Sequence, residues 1–299
     1  MRFAASVVLW LATTVALAVA IPAAWTQRNV VDADGYAAMA RRAAGDPALQ
    51  SAVAAELTTR AMALIAADGG GGHPVDGSQV HGAASAFTAG PSFPPLFAQA
   101  NRAAHDWLFI DPQSGRIANQ WAVDVAPMLK DASFQRILSS YNVKVPATLT
   151  VPLTVSVPSV PSVPSGPSGS LSLRQGQLSR LDTWGPRVSI GAAALSGVCA
   201  LLTLVAARHR GRALTGLGVS ALLVGAGGWP GIEVGGRYVN DALNRTTGDI
   251  RRIADVMVGR AEASLREWLN VTLVAGAALV VFGVLVAVLR GLLRSKQPS

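Results

Sequence analysis

Four stretches of this chain lack every ionisable side chain: residues 3–25, 188–207, 213–232 and 269–289 contain no Asp, Glu, Lys, Arg or His. Each is close to the ~20 residues that carry a helix across ~30 Å of hydrocarbon. Buried acids, bases and histidines are the usual mark of proton and ion pathways, so their absence argues against an ion-coupled transporter. Cysteine is nearly missing as well. The single one, Cys199, falls inside the second apolar stretch, where it reads as a small packing residue. The polar part of the chain therefore has no disulfide framework. Lysine is scarce, at 3 against 22 arginines. The chain also has no HExxH, GxSxG, CxxC pair or P-loop, and those absences remove the common signatures of metalloprotease, hydrolase, redox and nucleotide chemistry.

What is present is a skewed charge map. Residues 26–186 carry eleven basic and eleven acidic residues, and residues 233–267 carry six of each. The net charge of +8 is therefore left to Arg2, Arg187, Arg208, Arg210, Arg212, Arg290, Arg294 and Lys296, all at the ends of the apolar stretches. A basic pI alone would suggest a nucleic-acid binder. Charge confined to the span ends excludes that reading and fits the positive-inside rule instead. Four spans place both termini on one side, and the arginines make that side cytoplasmic. The six arginines of 233–267 pull the other way, but the tight 208–212 cluster and the C-terminal tail are the stronger signals.

The expected fold is mainly α, a four-helix transmembrane bundle plus a small α+β extracytoplasmic domain. Residues 1–25 form the first transmembrane helix, with an uncleaved anchor favoured over a signal peptide because its apolar run exceeds a ~7–15-residue signal core. Residues 26–157 form the extracytoplasmic domain, 158–170 a Pro/Ser/Val/Gly linker and 171–187 a juxtamembrane segment. The second span is 188–207, the cytoplasmic loop 208–212 and the third span 213–232. An extracytoplasmic amphipathic helix occupies 233–268, the fourth span 269–289 and a cytoplasmic tail 290–299. The triplets Val157-Pro158-Ser159 to Gly166-Pro167-Ser168 match the three-residue turn of polyproline II and read as a stiff spacer.

Within the exported region, Asp46-Pro47 opens a helix ending near Ala67, preceded by a shorter one around Tyr36 to Ala44. The Gly-rich composition of 68–91 predicts a loop. Further helices are expected over 96–108 and, as one piece, 127–141. Strands are expected over 119–125 and over the alternating run 149–157, where Pro152 demands an edge position. Trp25, Trp184, Trp229 and Trp268 fall at outer span ends, as an aromatic belt would place them.

No catalytic, cofactor-binding or metal-ligating constellation rises above background. His73, His81 and His105 are dispersed, and helix capping explains Asp46 and Asp34 in the Asp32, Asp34, Asp46 group. One candidate binding or packing surface stands out: Ile250, Ile253, Met257, Leu265 and Trp268 recur at helical spacing, with charge on the other faces. The small residues Gly191, Ser196, Gly197 and Ala200 of the second span, and Gly216, Gly218, Ser220, Gly225, Gly227 and Gly228 of the third, read as close-packing positions within the bundle.

The stretch from Trp25 through Arg28, Asp32 and Asp34 to Tyr36, then Asp46-Pro47 and Gln50, resembles the start of an uncharacterised actinobacterial family of multi-pass membrane proteins. Phe97, Gln99, Asn101 and His105, and the approach to Trp184 through Gln177 and Asp182, extend that similarity over most of the chain. The resemblance implies architecture and no activity. The expected function is a non-enzymatic cell-envelope protein: a scaffold, sensor or accessory subunit whose exported domain binds a protein, lipid or wall component. The alternative is a subunit of a membrane enzyme or transporter completed by a partner. The expected partners are the lipid bilayer and an envelope protein or second copy, with no nucleic acid and no cofactor.

Overall fold

A computed structural model describes residues 2–67, 76–109, 122–152, 178–206, 210–244 and 248–295. The Pro/Ser/Val repeat, His73 and the tetraglycine lie outside the described residues. The protein is mainly helical, and four of its helices are long and apolar enough to span a bilayer, which makes it a multi-pass membrane protein. In chain order the elements are α1 (Arg2–Thr26), a π-helical turn (Gln27–Val31), α2 (Ala33–Ala43), α3 (Pro47–Ala67), α4 (Gly77–Ala89) and α5 (Phe93–Phe109). There follow β1 (Ala122–Asp124), α6 (Ala126–Leu129), α7 (Ala132–Ser140), β2 (Thr150–Pro152), α8 (Ser179–Ala206), α9 (Arg210–Leu243) and α10 (Gly248–Ser295). They divide into a membrane unit (1–28, 183–239, 262–299) and a second, helical unit (29–182, 240–261).

In the membrane unit, glycine sets how closely helices approach. Gly211, Gly218 and Gly225 recur every seven residues along α9 and face α10. A Cβ on Gly218 would lie 2.7 Å from the Gly276 carbonyl oxygen, and one on Gly211 2.8 Å from that of Gly283. Gly225 and Gly228 make room for Leu273 and Leu269. With no hydrophobic drive between helices in lipid, such backbone-to-backbone approach supplies the dispersion contact that holds them. Gly191, Gly197 and Gly227 meet nothing within 4 Å, so the small residues split into packed and open sets.

On its other side α9 takes α1. Trp10 donates its indole N–H to the Gly216 carbonyl at 2.9 Å, and the Thr14 and Ser220 hydroxyls lie 2.8 Å apart. Thr13, Thr203, Thr215 and Thr272 each donate to the carbonyl four residues back, which satisfies their hydroxyls without water. Trp184 and Trp229 are exposed as a belt requires. Trp25 differs: it is buried, and its N–H reaches Ser264 at 3.3 Å.

The helical unit has a core of its own. Leu49, Leu57 and Ile65 line the inner face of α3, and Val80, Ala84 and Phe87 that of α4. Phe93 and Phe97 enter from α5, Met128 and Leu129 from α6, Phe134 and Leu138 from α7. Phe87 meets Phe93 and Phe134 edge-on, with both ring pairs at 5.7 Å. Among the described residues, strand is confined to one antiparallel pair that sets Ala122 opposite Pro152 and Asp124 opposite Thr150. In a two-stranded ribbon every position is an edge, so Pro152 costs no ladder bond from a third strand. Asp124 secures the pair by accepting from Ala126 N–H (2.9 Å) and Leu149 N–H (2.8 Å).

Two expectations are corrected. The 68–91 region is not loop throughout, because α4 fills Gly77–Ala89. Asp76 caps it from Ser78 N–H at 2.9 Å, and Val80, Ala84 and Phe87 bury one face at helical spacing. The single helix expected over 127–141 is broken at Asp131, whose carboxylate caps the new helix α7 through Ser133 N–H at 2.9 Å. The third and fourth spans are also parts of longer helices. α9 runs on to Leu243, and α10 holds the amphipathic segment and the apolar span in one uninterrupted helix.

Candidate functional site

The five residues of the expected surface do not share one environment. Ile250, Ile253 and Met257, joined by Val256, are partly buried and packed on the core of the helical unit. Leu265 and Trp268 lie farther along α10, in the membrane unit, and are half-buried there. The first three therefore cover a core, and their face is already occupied. The polar face of the same segment is also engaged. Arg251 shares its Nε–H between the two carboxylate oxygens of Asp255 at 2.8 and 3.0 Å and donates from its terminal nitrogens to the side-chain oxygens of Asn244 (3.0 Å) and Asn240 (3.3 Å) at the end of α9. Arg260 donates to Asp46 at 2.9 Å and so ties α10 to the cap of α3.

Asp46 and Asp76 are held below the ordinary carboxylate range. For Asp46 the causes are the Ala48 N–H and then the Arg260 guanidinium; for Asp76 they are the hydroxyl and N–H of Ser78. A carboxyl depressed in the folded state stabilises the fold above its unfolded value and loses that contribution as pH falls through the folded one. Protease resistance of the helical unit is accordingly expected to fall as pH drops below the ordinary Asp value of about 4. An Asp46→Asn/Asp76→Asn variant, which keeps a capping oxygen, should show a shallower fall. Identical profiles from acid-stable protease digestion would refute this role.

The densest polar arrangement surrounds His105, a residue read from the sequence only as one of a dispersed set. It is buried, and its Nε2–H donates to the Val30 carbonyl of the π-helical turn at 2.8 Å. The ring stacks on Phe109 at 4.2 Å and stands 5.1 Å from Tyr36. Burial pushes the Tyr36 hydroxyl up. Nδ1 is buried without a hydrogen-bond partner among the described residues, and the Asp106 carboxylate is 3.8 Å away. At the surface nearby, Arg102 pairs with Asp34. Asp32 rather than Asp34 caps α2, accepting from Gly35 N–H at 2.8 Å. The assembly therefore works as a clamp: an imidazole wedged between aromatic rings joins α5 to the turn that follows α1. The signal for it was the four-residue spacing of Phe97, Asn101, His105 and Phe109 along one helix face.

His81 lies against Thr58 at 3.2 Å. Among the described residues no three His, Cys, Asp or Glu side chains group as metal ligands. Comparison with protein families, with curated proteins and with solved structures found no match for this chain.

Proposed function

We propose that the chain is a non-enzymatic protein of the bacterial cell envelope, with the helical unit outside the cell membrane as its binding module. The observation that carries this reading is the closed core of that unit, completed by Ile250, Ile253 and Met257 from α10. A chain that invests in an independent core beside four apolar spans has the parts of an anchored recognition domain. Its role is that of a scaffold, sensor or accessory subunit contacting a protein, lipid or wall component. The charge distribution supports an orientation with 26–186 and 233–268 outside and both termini inside.

The orientation is tested in a Cys199→Ala background. Cysteine at Ser51, an exposed position on α3, should react with a membrane-impermeant thiol reagent in intact cells. Cysteine at Ser299 should react only after permeabilisation, and equal labelling of both would refute the topology. The function is tested by crosslinking in native membranes followed by purification. Recovery of envelope material or of a second copy on the helical unit is the expected result. Stoichiometric recovery of a protein carrying catalytic or transport motifs would replace this reading with that of a subunit completed by its partner.

A further inference from the structure

Only one ring nitrogen of His105 is used by the clamp. A carbonyl oxygen accepts and never donates, so the 2.8 Å contact with Val30 places the ring proton on Nε2. Nδ1 is left with a bare lone pair. It is buried, no hydrogen-bond partner reaches it among the described residues, and the side chain as a whole is 4% exposed. A buried acceptor left in that state is costly, which points to an electron-pair acceptor as its missing partner.

The group beside it cannot supply a proton when ionised, because a carboxylate offers acceptors alone. Asp106 Oδ1 lies 3.8 Å from Nδ1, too far for a hydrogen bond. Arg102, one helical turn before Asp106, spends its guanidinium on Asp34. Among the described residues no Lys or Arg pairs with Asp106. Two lone-pair donors therefore sit side by side on α5 with no cation shared between them. Zinc held at ~2.0–2.1 Å by an imidazole nitrogen and a carboxylate oxygen, at the tetrahedral angle, sets those atoms about 3.3 Å apart. The 3.8 Å separation needs a small closing rotation, and the Asp106 side chain is free to make it at 38% exposure. The ring is already oriented as a metal-ligating histidine is. Its far N–H rests on a backbone carbonyl, and its position is held by Phe109 at 4.2 Å and Tyr36 at 5.1 Å.

We propose that His105 Nδ1 and Asp106 form a two-ligand site on the helical unit for a divalent transition metal of the zinc class, with water in the remaining coordination positions. The imidazole nitrogen selects this class over magnesium and calcium, which take oxygen ligands. With two protein ligands where structural zinc sites have four, the site is open and exchangeable. It stands independently of the envelope partner proposed above.

The test uses the full chain in detergent at neutral pH, stripped with EDTA, with histidine as the only residue type carrying an NMR-visible nitrogen isotope. A His73→Ala/His81→Ala/His209→Ala/Cys199→Ala variant leaves His105 as the single histidine and removes the thiol. Zn2+ should shift the Nδ1 resonance of His105 and leave Nε2 protonated, with the change complete by about 1 mM, enough to fill a site of micromolar affinity. Mg2+ at the same concentration should leave Nδ1 where it is. Asp106→Asn, which keeps the side-chain shape, should weaken the zinc response about tenfold or more. No response to Zn2+, a shift at Nε2 in place of Nδ1, an equal response to Mg2+, or a zinc response that Asp106→Asn leaves unchanged would each overturn the proposal. Should the quadruple variant fail to fold, the native chain decides in the same way. One of its four labelled histidines must respond through Nδ1 and lose that response in Asp106→Asn, and the absence of any such resonance would overturn the site.

Discussion

Gly218→Leu is expected to collapse the membrane unit, while Gly231→Leu in the same helix leaves it intact. A Cβ at Gly218 would lie 2.7 Å from the Gly276 oxygen, from the Val280 nitrogen and from a Val280 methyl. Two of those three atoms are backbone, so relief requires α9 and α10 to separate and forfeit the contact that joins them. Even Gly218→Ala should cost about 1–3 kcal/mol, the usual range for overpacking a tight interface. Leucine, with three more carbons to place, should exceed that range. At Gly231 an added Cβ meets nothing within 4 Å, so the same change adds an apolar side chain to open space. The pair matches helix, residue types and hydrophobicity, which leaves packing as the difference. Heating the detergent-solubilised protein and measuring the monodisperse peak on size exclusion reads the result. Equal thermal retention of the two variants would show that the seam does not hold the unit together.

The second large effect is expected at the other end of α10. Ile253→Asp/Met257→Asp should make the helical unit protease-sensitive while the four spans remain in the carbonate-resistant membrane fraction. Each native side chain contributes up to about 1.5–3 kcal/mol by covering the core. Each replacement also brings a carboxylate against apolar neighbours, which adds a desolvation cost. Against a domain stability of about 5–15 kcal/mol, the double change removes a large share. Unchanged resistance of residues 29–152 would mean that α10 rests on the core without supporting it. The same packing carries a folding consequence. Residues 240–261 complete a core whose other members lie between Ala40 and Val151, so the unit closes only after α8, α9 and the start of α10 have been made.

Much of the local structure was legible because it depends on neighbours in sequence. The Asp46-Pro47 start of α3 appears as read, with the carboxylate accepting from Ala48 N–H at 2.9 Å. The α4 helix escaped notice because glycines and small polar residues in 68–91 outweighed three buried positions, Val80, Ala84 and Phe87. The break at Asp131 was hidden by the apolar period running through it. A cap requires a choice between continuing and restarting a helix, and here the buried Met128, Leu129 and Phe134 decide it. His105 carried a usable spacing signal, yet its partner Val30 is 75 residues away, beyond any periodic argument.

By itself the sequence determined that the protein is a membrane protein with four segments apolar enough to cross a bilayer, because transfer into hydrocarbon depends on the composition of about twenty consecutive residues. It also determined where the uncompensated charge lies and which acids begin helices. Only the tertiary structure decided which glycines are contacts and which are open. Gly218 and Gly231 are the same residue in the same helix, and what separates them is the presence of α10 on one face. It likewise decided that the Ile250, Ile253 and Met257 face is spent on a core, and that α1 and α9, some two hundred positions apart, pack side by side in the same direction. Those facts reside in distances between helices, and a one-dimensional pattern of apolar and charged residues carries no distances.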